Sequence, residues 1–118
     1  MRWTQTCGRL SLTLRAFRQG RDLQVLCSGG DAHIGAVALA APHQNASQAS
    51  LLLVPGHREE GIAQHMANRL ACALNCTVCV SVGIHYDHIQ KEEIITIENM
   101  ARQLTESCLT AIMGDTVC

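Results

Sequence analysis

Between Arg9 and Phe17 apolar and polar positions alternate, with Leu10, Leu12, Leu14 and Ala16 set against Arg9, Ser11, Thr13 and Arg15. A period of two predicts a strand with one buried face. Residues 18–21 turn the chain, and Leu23, Val25 and Cys27 predict a second strand over 22–27. Ser28-Gly29-Gly30-Asp31 is a Gly-rich turn, and an Ala-rich third strand over 33–40 carries Gly35. After a polar loop over 41–48, residues 50–54 are apolar on both faces, which predicts a central fourth strand. Beyond Pro55-Gly56 the period becomes helical: Ile62, Met66, Leu70 and Leu74, with Ala63, Ala67 and Ala71, form one stripe. Gln64, His65, Asn68 and Arg69 fall on the solvated face, and Asn75 is the expected C′ residue. Val78, Val80, Val82 and Ile84 then alternate with Cys79, Ser81, Gly83 and His85, a fifth strand. Asp87 and Gln90 have capping-box spacing and open a second helix over about 88–112, with Ile94, Ile97, Ala101, Leu104 and Cys108 as its stripe. Residues 1–7 show no pattern and are expected to be an arm or an extra edge strand.

The order ββββαβα places one domain over 1–118, with its core at about 9–112. Two amphipathic helices need an apolar sheet face. The expected class is α+β, a two-layer sandwich of a mostly antiparallel five-stranded sheet with both helices on one face. Hydrophobic residues make up 47% and charged residues 16%, as in a compact domain. A net charge of -1 argues against nucleic acid or an anionic membrane as partner. No apolar run approaches the ~20 residues of a membrane helix, and no signal peptide is evident, so the cytoplasm is the expected location. There are 7 cysteines, an odd number, which reads as free thiols. Cys76 and Cys79 form a C-x-x-C, but on a strand the two point to opposite faces, and no second pair completes a zinc site.

Counting chain reversals puts three loops on one rim: 29–33, 56–60 and 85–88. Both helices start there, so their free N–H groups favour an anion such as phosphate, and Arg58 adds a fixed charge. His33, His57, His85 and His88, with Asp31, Asp87 and Glu59, are suitable ligands for a divalent metal, zinc, manganese or iron. The same histidines could equally contact an anion directly or cap the loops. His85 leads the set, because its parity puts it beside Ser81 and Gly83 on the face away from the helices. Ser81, Gly83 and Gly35 leave that face room for a planar ligand or a second subunit. Tyr86 shares the core-facing parity. With Trp3, Phe17 and Tyr86 as the aromatic residues, the chain cannot build a stacking cage alone, so a homodimer interface is the expected place for a planar cofactor.

The runs G-G-D-A-H-I-G-A-V-A-L-A, L-L-L-V-P-G-H-R-E-E and V-S-V-G-I-H-Y-D-H-I resemble the LpdD family, over about residues 9–112. These are small accessory subunits encoded with UbiD-type phenolic-acid decarboxylases such as gallate decarboxylase. The resemblance implies a chaperone that binds prenylated flavin mononucleotide (prenylated FMN, or FMN itself). It would support maturation of a UbiD-type decarboxylase, with the flavin prenyltransferase as a further partner, and would not be a catalyst. It carries over His33, His57 and His85, with Asp31 and Glu59. Together with the rim, this gives Asp31, His33, Gly56, His57, Arg58, His85, Tyr86 and His88 as expected cofactor-binding residues. The expected metal ligands, from spacing, are His33, His57 and His85. Two alternatives stand: a small metal-dependent enzyme with Glu59 or Glu60 as general base, and a subunit that only braces a decarboxylase.

Overall fold

The computed structural model describes residues 1–42, 49–56 and 59–117. The elements are β1 (Arg2–Cys7), β2 (Leu10–Gln19), β3 (Asp22–Gly30), β4 (Ala36–Ala40), β5 (Ser50–Leu53), α1 (Glu60–Leu74), β6 (Val78–His85) and α2 (Lys91–Val117). They form one 6-stranded sheet in the order β1-β2-β3-β6-β4-β5. β3 and β6 run parallel, and every other neighbouring pair is antiparallel. Leu12, Leu14, Val25, Val78, Val80 and Val82 project from one face and are fully buried beneath Met66, Leu70, Leu104 and Ile112 of the helices. The period-two stripes chose this face, because each alternate side chain must go to the same side of the pleat. The two-layer α+β class with both helices on one face is therefore the observed one.

Three expectations change. The sheet has a sixth strand, since residues 1–7 pair along β2 from Arg2↔Arg15 to Cys7↔Leu10. Its parallel pair is β3–β6, because β6 lies between β3 and β4 rather than beside β5. And β5, expected at the centre, is the edge strand: Leu52 is 74% exposed and Leu53 49%. An apolar run marks burial on both faces only if something covers the second face, and among the described residues nothing covers it here.

The strand order has a local consequence. To pass from β3 to β4, residues 31–35 must cross the end of β6. Gly35 N donates to Val82 O (2.9 Å) and Asp31 N to His85 O (3.0 Å), which stitches the crossing down on both sides. A side chain at Gly83 would collide with the His33 backbone, so the crossing needs glycine beneath it. The third strand accordingly starts at Ala36, not at His33.

Candidate functional site

The three loops do share one end of the sheet: Gly30 is paired with His85, and Glu59, at the start of α1, reaches both the β3–β4 crossing and β6. The Gly8-Arg9 turn between β1 and β2 arrives at the same end, which the sequence did not suggest because β1 carries no hydrophobic repeat.

Glu59 organises this rim. It is 7% exposed and stands at the N-cap of α1, its carbonyl accepting from Ala63 N (3.0 Å). Its Oε1 accepts from Ile84 N (3.3 Å) and faces His33 Nε2 at 3.1 Å. Its carboxylate fills the space where a side chain at Gly35 would lie. His33 Nδ1 lies 3.0 Å from Asp31 O, a carbonyl that can only accept.

The other expected residues separate into distinct roles. His85 is exposed, with Nε2 3.1 Å from Asp87 Oδ1. Asp31 holds the rim through its backbone, and its side chain is exposed. His88 sits in the left-handed region (φ 53) and its carbonyl accepts from Gln90 Nε2 at 3.0 Å. Tyr86 is a structural pin: its hydroxyl accepts from Ser11 N (2.7 Å) and donates to Ser11 O (2.8 Å), with the Arg9 guanidinium 5.6 Å over its ring. Gly56 has φ 86 at the mouth of the cleft described below. His57 and Arg58 lie outside the described residues.

Of the three expected metal ligands, His33 and His85 fall among the described residues and His57 does not. Among the described residues no three of His, Cys, Asp and Glu gather around a common point. His33 offers both ring nitrogens to oxygen atoms of its own chain, and His85 turns to a different carboxylate. A ligating imidazole must present a lone pair, which would mean breaking the His33–Glu59 contact. The room expected above Gly83 and Gly35 is likewise filled, by the His33 backbone and the Glu59 carboxylate. The described cysteines are free thiols; burial pushes Cys27 up to about 12 and Cys108 up to about 11. No helix among the described residues is long and apolar enough to cross a membrane.

A cavity of about 590 Å³ opens from the rim into the groove between α1 and α2. His65, assigned to a solvated face on sequence grounds, lines it and is half-buried. Burial and the nearby Arg102 hold its imidazole below the ordinary value. Ile94, expected in the buried stripe, is 43% exposed on the opposite wall.

A search of curated proteins gives no match. A solved structure described as "Crystal Structure of a Novel Chaperone Complex for Yeast 20S Proteasome Assembly" contains a similar chain, with TM-score 0.62 and 11% identity, covering 97% of this chain and 94% of that one. That likeness is one of fold. The family model described as "Prenylated flavin chaperone LpdD-like domain" matches residues 6–113, nearly the whole of the sheet and both helices. The chain therefore belongs to the prenylated flavin chaperone LpdD-like family, a family of accessory proteins rather than catalysts.

Proposed function

We propose that the protein binds prenylated FMN and holds it for delivery to a UbiD-type decarboxylase, with the flavin prenyltransferase as its source. The observation that carries this reading is the family match over residues 6–113. The rim suits the cofactor's phosphate: both helices begin there, and their first-turn N–H groups face it. Asp31, His33, Gly56, His85 and His88 lie on that rim, with Tyr86 pinning it, and His57 and Arg58 belong to the same loop sequence as Gly56. The reading needs no metal, so treatment with a chelator is expected to leave flavin binding unchanged.

The partner on the open sheet face is a second copy of the chain. Leu26, Val37 and Leu52 lie in one cross-strand row through Ser81, and Leu39 lies in the next row, beside Cys79. Leu26 is 42%, Leu39 47% and Phe17 42% exposed. An apolar patch of this extent on a lone subunit usually marks an interface.

Titration of the purified protein with prenylated FMN, followed by flavin absorbance and fluorescence, tests the reading. Saturable binding is expected, followed by transfer that activates an apo-decarboxylase. Absence of binding would overturn it.

A further inference from the structure

The cleft between α1 and α2 is apolar on both walls and on its floor. Ile62 and Met66 line it from α1, Ile84 from β6, Ile89 from the loop, and Ile94 and Ile97 from α2. From Ile94 to Thr105 it follows α2 for about 16 Å at 1.5 Å per residue. Its volume of about 590 Å³ lies within the ~300–1,000 Å³ of small-molecule sites. One end opens at the rim beside Gly56 and Glu59, and farther along, before Thr105, the lining carries His65, Glu98 and Arg102.

Two features point to a planar, mostly apolar ligand with a polar edge. The walls are aliphatic, and the first turn of α2 leaves Ile94 43% exposed on one of them, although a helix of this fold buries such a residue when it has a surface to meet. On the α2 wall a fixed donor, Arg102, and an acceptor, Glu98, lie one turn apart. The pyrimidine edge of a flavin presents acceptor, donor and acceptor in sequence, through its two carbonyls and the N–H between them. The dimethylbenzene side and an added prenyl ring are apolar. The open sheet face lacks such a cradle, since the glycines that would make room there are covered by the His33 backbone and the Glu59 carboxylate.

We infer that the interhelical cleft takes the prenylated ring system, with its pyrimidine edge toward Glu98 and Arg102 and its phosphate tail at the rim. This rests on the flavin-binding reading above and adds to it the place of the ring.

The test is equilibrium titration with prenylated FMN, and with FMN as the unprenylated probe, of the wild type and three variants, with thermal melts as a check on folding. Ile94→Glu puts a charge on an exposed wall residue, and Arg102→Ala removes the donor. Each is expected to weaken binding at least about tenfold, the scale of one lost charge-assisted contact. Ile94→Glu should hurt prenylated FMN more than FMN, and Arg102→Ala should hurt both alike. Arg21→Ala, which removes an exposed arginine at the other end of the sheet, should leave both affinities unchanged. Wild-type binding with unchanged affinity in both folded cleft variants would overturn the placement and leave the flavin reading standing. No wild-type binding would overturn both.

Discussion

Gly83 and Glu59 show how much of the rim depends on single residues. At Gly83 the next atoms above the strand belong to the His33 backbone, so Gly83→Ala must displace the crossing segment. Overpacking of this kind costs about 1–3 kcal/mol, and urea unfolding should show a loss in that range. Glu59→Ala leaves the Ile84 amide without its carboxylate acceptor and removes the partner of His33 Nε2. A buried donor left unmade costs about 1–3 kcal/mol. Hydrogen exchange should therefore speed up at Ile84 more than at the amides of the β2–β3 pairing. Gly83 and Glu59 were visible in the sequence as a small residue in a strand and an acid before a helix. Their mutual purpose was not, because it depends on which strand the β3–β4 connection crosses.

At the scale of elements, α2 shows a local signal displaced by one turn. The Asp87/Gln90 spacing predicts a start near His88, but α2 begins at Lys91. Asp87 spends its carboxylate on His85, and His88 adopts φ 53, outside the helical region. The reciprocal bond is made instead by Glu93, whose Oε1 accepts from Gln90 N at 2.9 Å, and the first helical bond runs from Ile94 N to Gln90 O. Glu93 also takes a bidentate contact from Arg9 at 2.8 and 2.9 Å, which clamps the β1–β2 turn to α2. The Arg9 bond first, and the Gln90 amide second, hold the Glu93 carboxyl down from 4.5 to about 2. A depressed carboxyl stabilises the fold above its unfolded value and loses that contribution as it protonates. The clamp is therefore whole above about pH 4.5 and fails as pH falls toward 2. Acid titration of Glu93→Gln should show a shallower fall in stability over that window than the wild type, and an equal slope would reject the clamp. By contrast, Asn75 is the C-cap of α1 in the left-handed conformation (φ 54, ψ 48), as its position after the last apolar residue implied.

For the whole molecule, the decisive fact is the strand order β3-β6-β4. It seats the last strand to be made at the centre and sends β5 to the edge, and among the described residues no helix covers the second face of the sheet. If that face meets a second copy, sedimentation at micromolar concentration should give a dimer. The double variant Leu26→Glu/Leu52→Glu should then give a monomer that melts within a few degrees of the wild type, since both side chains are already exposed. A wild-type monomer under these conditions would reject the interface. A fold likeness at 11% identity to a chain from a chaperone complex is one of architecture, and leaves the ligand to the side chains of the cleft and rim.

The hydrophobic periods settled which residues face the core: Leu10 to Ala16, Leu23 to Cys27 and Val78 to Val82 all point where alternation put them, because burial is a property of one strand and its own pleat. Direction along the sheet was also legible, since it follows from counting turns, and it brought His33, His85 and the start of α1 to one end. Which strands lie side by side was not legible. Pairing is a choice between backbones that all offer the same N–H and C=O groups, and it is made by long-range packing. From that choice come the Glu59–His33 contact, the covered glycines, the exposed β5 and the cleft between the helices, none of which any single stretch of the chain encodes.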